Sequence, residues 1–315
     1  IKNQNNENII IAIPVSRFLE IVNNIKDENI KITIKDNKMN LETNNGRYTI
    51  TGQDYKEFPT DPVMNESTNI SLNMKDFVDI IDFTKNSVSR DELKPALQGV
   101  LLKINSNNIT GVSTDGHRLS RIIIKNKTEQ LKEHEIIVPL KFLTILNSFI
   151  DNKEEIDLEI SDNYISITHK NQTVFSRLIK DSYPDYEKVI PLDNNKTFTT
   201  NKRDLINAIK RVSIFSNRST KQITLEIGNQ KTTISTEDSE QAAKGAETIT
   251  SQFNNTDNLK IGFNSMFILD ALNNIKNEKI TMFLNGSLNA AILSETSPDK
   301  KMDKLVLLMP IRLND

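Results

Sequence analysis

The chain has 315 residues, 37% of them hydrophobic, and a formal net charge of -2, which gives length enough for two or three domains with packed cores. It has no cysteine and three scattered histidines, His117, His134 and His169, so disulfides and thiolate chemistry are excluded and a zinc site is not expected. A protein that gripped nucleic acid over its whole surface would be basic, so any such role needs positive charge confined to one face. No apolar run is long enough to span a bilayer, and the polar start Ile1 to Asn8 is unlike a signal peptide, which makes the cytosol the default location.

In chain order, the first recognisable stretch is Ile13-Pro14-Val15-Ser16-Arg17-Phe18-Leu19-Glu20-Ile21-Val22, followed by a strand cluster that ends at Phe58-Pro59. Asn73 then stands where it can cap a helix whose apolar positions Phe77, Ile80, Ile81 and Thr84 recur at helical spacing. Alternating strands follow over Gly99 to Ile104, Ile109 to Ser113 and Leu119 to Ile124. Asp115-Gly116 between the last two reads as a turn. A second helix is expected near Leu140 to Phe149, with Phe142, Ile145, Leu146 and Phe149 on one stripe. Three more strands come next: Ile156 to Ile160, Tyr164 to His169 with Asp162-Asn163 as the turn between them, and Thr173 to Leu178. The last third predicts helices near Lys202 to Val212 and Ser265 to Ile275. It also predicts a turn at Asn285-Gly286 and a final strand, Leu305 to Met309, halted by Pro310.

These elements repeat. The stretch from Ile13 resembles Val138 to Leu146 and again Phe263 to Leu272, with Pro14, Pro139 and Asn264 each 125 positions apart. Phe58-Pro59 and Tyr183-Pro184 keep the same interval. A period of this length describes a string of domains, since solenoid repeats run to about 20 to 45 residues. Each domain reads as two halves, each a helix with a small antiparallel sheet. The expected boundaries are 1–62, 63–190 and 191–315. By the same arithmetic the first domain lacks about 55 residues of its front half. A truncated chain is the expectation, because a lone half-domain would expose apolar faces and open sheet edges.

The stretch Gly111-Val-Ser-Thr-Asp-Gly-His-Arg-Leu-Ser120 resembles a signature of the bacterial DNA polymerase III beta subunit, the sliding clamp family. Tyr183-Pro184-Asp185-Tyr186 and the terminal Leu308-Met309-Pro310-Ile311-Arg312-Leu313 resemble it too, and the likeness spans essentially the whole chain. The resemblance implies an α+β chain of three tandem clamp-type domains forming half of a ring. Two such chains would close head to tail, with helices lining the hole and sheets at the rim. Lys and Arg on the inner helices would then meet duplex DNA through non-specific phosphate contacts. The candidates are Arg17, Lys85, Arg90, Lys94, Lys141, Lys202, Arg203, Lys210 and Arg211; each alone is equally an ordinary solvated helix charge. Asp76, Asp79 and Asp82 on the helix after Asn73 argue for a less basic second domain, which shifts the weight to the third domain and the Arg90 to Lys94 loop.

The resemblance also implies a pocket between domains two and three for a short clamp-binding peptide carried by the polymerase, the clamp loader and other partners. Its residues carry over as Leu97, Thr114, Gly116, His117, Arg118, Leu119, Pro184, Lys188, Val189, Thr220, Asn264, Phe267, Leu288, Leu307, Leu308, Met309, Pro310, Ile311 and Arg312. Apolar walls for Leu or Phe anchors, an adaptable Met and two rim arginines suit such a ligand. Leu119, Leu307 and Leu308 would be buried in any terminal strand. Lys188 stands where the family has arginine, and Thr220 where a larger apolar side chain is common, which predicts a shallower pocket. Tyr48 is expected to pack on Ile214 and Phe215 of the partner's third domain, although Phe215 would equally suit an ordinary core.

Other classes fare worse. Asp115 beside His117 suggests acid/base chemistry, but a polar hairpin tip is the plainer reading. No glycine-rich phosphate loop, nucleophile elbow or metal-spaced carboxylate cluster is present, so neither catalysis nor a cofactor is expected. The alternative is a repeat-built adaptor that binds proteins and never encircles DNA.

Overall fold

The computed structural model describes residues 9–26, 29–125, 133–147, 155–169, 172–296 and 301–313. It divides into two compact units, Ile1–Val63 and Met64–Asp315. The expected helix residue Phe149 lies outside the described residues.

In the first unit a helix, α1 (Val15–Asn24), accompanies a three-stranded antiparallel sheet of Lys31–Lys35, Lys38–Glu42 and Arg47–Thr51 in that order. Asp36 and Asn37 both take positive φ, 51° and 56°. A two-residue turn of that hand matches strand twist and fixes the register at Lys35 opposite Lys38. The core is small: Met39, Leu41 and Ile50, with Ile11, Ile13, Phe18, Ile21, Ile30 and Ile34 partly buried around them. No residue of α1 is fully buried, and Val15, Leu19 and Phe58 are exposed.

The second unit repeats one device. A strand ends on a residue that starts a helix directly, as Thr68–Asn73 does for α2 (Met74–Thr84), His134–Pro139 for α3 (Leu140–Asn147), Lys196–Asn201 for α4 (Lys202–Val212) and Leu259–Asn264 for α5 (Ser265–Asn274). Asn73, Asn201 and Asn264 each accept backbone N–H bonds from the first helical turn. These bonds satisfy donors that a helix start otherwise leaves open.

Most strands join a 12-stranded antiparallel sheet; Thr68–Asn73, Glu155–Ile160, Tyr164–His169 and Gln172–Arg177 form a four-stranded one. In the large sheet the terminal strand Met302–Leu308 pairs with Arg118–Lys125, Leu308 opposite Arg118, so the hairpin and the chain's last strand share one sheet. Side chains alternate across it. Val100, Leu102, Ile122, Ile124, Val306 and Leu308 face the main core with the helices, whereas Leu101, Val112, Leu119, Leu305 and Leu307 form a smaller cluster on the opposite face.

Two expectations need correction. In α3 the buried positions are Phe142, Leu143 and Leu146, while Ile145 is exposed. The helix is only two turns long, and Leu143 rather than Ile145 faces the core beside Phe142. Asn285-Gly286 leads into the turn rather than forming its centre: Lys279–Leu284 and Ala291–Thr296 are joined by a loop over 285–290, with Ser287 and Leu288 at the middle of a turn closed by the Asn289 N–H on the Gly286 carbonyl at 3.3 Å.

Candidate functional site

The hairpin of Asn108–Thr114 and Arg118–Lys125 turns at Asp115, Gly116 and His117. Gly116 has φ 91°, a left-handed backbone that favours glycine. Asp115 Oδ1 accepts the backbone N–H groups of His117 and Arg118 at 2.9 and 3.0 Å, and Thr114 Oγ1 donates to the Arg118 carbonyl at 2.7 Å. The carboxylate therefore serves the turn as a hairpin tip requires.

What the tip presents is Arg118. Its Nε donates to Asp115 Oδ2 at 3.1 Å and its Nη1 to Asp270 Oδ2 at 2.6 Å. Its guanidinium carbon lies 4.3 Å from the centre of the Phe267 ring, and the His117 ring stacks 6.3 Å from the same ring at 22°. Phe267 and Asp270 stand one turn apart on α5, so one helix face meets the hairpin tip.

The chain end runs beside them. The Met309 N–H donates to the His117 carbonyl at 2.9 Å and that of Ile311 to the Gly262 carbonyl at 2.8 Å. Pro310 lies between them and the exposed Arg312 follows. Asn264, besides capping α5, donates to the Thr220 carbonyl at 3.2 Å. Hairpin tip, α5 start and chain end thus bring together Thr114, Gly116, His117, Arg118, Thr220, Asn264, Phe267, Met309, Pro310 and Ile311.

Leu119 and Leu307 sit in the smaller apolar cluster, where Tyr186 is buried and Tyr183 and Ile190 pack. The segment 183–190 thus lies on that sheet face and carries Pro184, Lys188 and Val189 to it. Val189 is 55% exposed, and Lys188 pairs with Asp185 at 2.8 Å. That pairing lowers the Asp185 pKa and raises that of Lys188. Burial pushes the Tyr186 phenol up to about 12 and raises that of Tyr183 as well. Leu288 is exposed on the 285–290 loop, near which Asn194 donates to the carbonyls of Phe283 and Ala290 at 3.1 and 2.9 Å. Leu97 is buried in the turn Pro95–Gln98. Leu308 faces the helices on the far side of the sheet, so strand alternation keeps its side chain off the face that Leu307 occupies. A concavity of about 260 Å³ bounded by Leu101, Lys103, Tyr183 and Tyr186 shares Pro184 with the expected set. A larger one of about 520 Å³, bounded by Thr68, His134, Ile160 and Tyr183, shares none of it.

The candidate DNA-facing cations divide into two groups. Lys202 Nζ donates to the Ile275 carbonyl at 2.7 Å, at the C-terminal end of α5. Arg211 Nε binds Glu247 at 2.9 Å, a pairing that raises the arginine pKa and lowers that of the glutamate. Lys85 pairs with Asp82 at 2.7 Å and Lys94 with Asp91 at 3.8 Å. Arg17, Arg90, Lys141, Arg203 and Lys210 are exposed, and among the described residues none forms an ion pair. The acids on α2 are each set against a lysine. Asp76 is buried and grips Lys301 Nζ through both oxygens at 2.7 and 2.8 Å, Asp79 faces Lys276 at 4.0 Å, and Asp82 is neutralised by Lys85.

Tyr48 is 40% exposed on the outer strand Arg47–Thr51 of the first unit. In the second unit Ile214 and Phe215 are 76% and 43% exposed on the turn Ser213–Phe215, with the Phe215 ring against Gly245. They are surface residues, not the ordinary core that the sequence left open. Asp270 was absent from the expected site. Its one signal was its place three residues after Phe267 on a helix.

Family models for the DNA polymerase III beta subunit match the chain twice, the central domain at residues 71–185 and the C-terminal domain at 187–312. The beta sliding clamp of Pseudomonas aeruginosa is 28% identical over 96% of this chain and 82% of its own length. That of Haemophilus influenzae is 28% identical over 98% and 83%. The crystal structure of the Pseudomonas aeruginosa DNA polymerase III subunit beta superposes with a TM-score of 0.87 at 27% identity, over 96% of this chain and 83% of that one. A sliding clamp from the same organism bound to griselimycin gives 0.86 at 27%, over 96% and 81%.

Proposed function

The chain belongs to the DNA polymerase III beta subunit family, and we propose that it works as a sliding clamp, an accessory subunit that encircles duplex DNA as a head-to-tail dimer and tethers the replicative polymerase. A polymerase that must stay on its template cannot both hold tightly and slide, because base-specific contacts would pin it. A closed ring separates the demands: topology retains the duplex, and sparse phosphate contacts let it move.

The observation that carries the reading at the level of residues is the meeting of the hairpin tip with α5 and the chain end. One hairpin from the central-domain match and one helix from the C-terminal match bring Arg118, Phe267 and Met309 to one place, which we read as the wall of a peptide groove. A carboxylate-held guanidinium, an aromatic wall and a flexible thioether suit a short peptide segment of the polymerase, clamp loader or other partners. Arg203 and Lys210, exposed and without ion pairs among the described residues, are the cations best placed to meet phosphate; Ile214 and Phe215 supply the apolar surface for ring closure against Tyr48. The chain acts without catalysis, in the cytoplasm, on DNA and protein partners. Among the described residues no helix is long and apolar enough to cross a membrane.

Charge reversal separates a clamp from a DNA-indifferent adaptor. In the double variant R203E/K210E, the rate of loader-dependent loading onto nicked circular DNA falls, while binding of the polymerase subunit and retention of molecules already loaded are unchanged. A loading rate equal to that of the unaltered chain would favour the adaptor.

A further inference from the structure

Arg118 is the most constrained cation at the groove. Its side chain is 12% exposed, and its Nε and Nη1 are held by two carboxylates, Asp115 from its own turn and Asp270 from α5. The hairpin tip alone cannot fix the guanidinium, because the Asp115 contact leaves the long side chain free to turn about its outer bonds. The 2.6 Å contact with Asp270 removes that freedom and sets the plane within 4.3 Å of the Phe267 ring centre. Phe267 and Asp270 lie on the same helix, so the aromatic face and the carboxylate arrive together.

Resting on the groove reading above, we infer that Asp270 is a positioning residue for ligand binding: its carboxylate presses the Arg118 guanidinium onto Phe267 and leaves Nη2 as the donor offered to the ligand. Among the described residues no acceptor is bonded to Nη2. Two carboxylates against one guanidinium leave the trio with a formal charge of -1, so the donor suits a neutral carbonyl, such as a peptide main chain or a side-chain amide, better than a carboxylate. Asp270 need not touch the ligand.

The test is calorimetric titration of the full chain with griselimycin, using R118A, D270A, D270N and the double variant R118A/D270A, with thermal melts beside each. R118A is expected to weaken binding at least about tenfold, and D270A also by about tenfold. D270N is expected to fall between D270A and the unaltered chain, since its amide oxygen still accepts from Nη1. D270A should add nothing once Arg118 is gone, because a residue acting through another has no effect in its absence. Multiplying losses in the double variant would overturn the inference, as would unaltered affinity in D270A beside a loss in R118A. Unaltered affinity in R118A would overturn the groove reading, and the inference with it. D270N keeps the side chain's shape, so a melt unchanged in that variant shows that a loss of binding is not a loss of fold.

Discussion

At the scale of single residues, burial and charge act against each other most plainly at Lys304. It is 6% exposed, its Nζ lies 5.3 Å from the centre of the Phe83 ring, and burial lowers its pKa. Below that depressed pKa the lysine is charged in both folded and unfolded states, and the folded state carries the whole cost of desolvation. As pH rises through it toward the ordinary lysine value, the folded state releases its proton first, so stability rises with pH. K304M removes the cost without opening a cavity, and its melting temperature is expected to lie above that of the unaltered chain at pH 7. The gap should narrow in melts at pH 9 to 10; a gap that widens would contradict the assignment. Asn264 is a second case. Its side chain accepts from Met266 and Phe267 N–H at 2.9 and 3.4 Å, so N264A should cost about 1 kcal/mol of stability in a denaturant titration. It should also loosen peptide binding at the proposed groove, because the first turn of α5 carries Phe267.

At the scale of elements, the close seating of α2 on the hairpin depends on Gly111. A Cβ there would come 2.4 Å from Ile80 Cγ2, well inside contact distance. G111A is therefore expected to lose about 1 to 3 kcal/mol of stability, and the added I80L, which has no second γ-carbon, should recover part of it by making room. Full stability in G111A would show that the helix can move off the sheet at little cost. Much of this architecture was legible in the sequence because local chemistry and tertiary packing agree. Asn73 announces its helix as a cap, Asp115-Gly116 marks its turn, and period-two alternation puts the expected Ile156 to Ile160 within a residue of the observed Glu155–Ile160. Where they were misread, the deciding neighbour was remote in sequence. Ile145 and Leu143 are equally apolar, and the packing around a two-turn helix chose between them. Asp76 and Asp79 look like an acidic face until Lys301 and Lys276, about 200 residues further along, are brought against them. The groove was legible only through family likeness. Composition does not reveal that a hairpin tip and a helix 150 residues later would share one guanidinium.

At the scale of the whole molecule, strand pairing rather than a loop unites the two segments that the family models match. Seven residue pairs join Met302–Leu308 to Arg118–Lys125, and the proposed peptide groove lies at the end of that seam. In the proposed ring, closure falls to exposed apolar residues. Replacing Ile214 and Phe215 by serine is expected to shift the chain toward monomer in sedimentation at micromolar concentration. An unchanged association state would remove those residues from the interface. The central claim is that shape, and not grip, keeps this chain on DNA. Load the protein onto a nicked circular plasmid, raise the salt to 0.5 M, and count the molecules that stay before and after a single restriction cut linearises the circle. The account predicts retention on the circle at high salt and rapid loss once free ends exist; equal retention on both forms, or loss from the circle by salt alone, would contradict it.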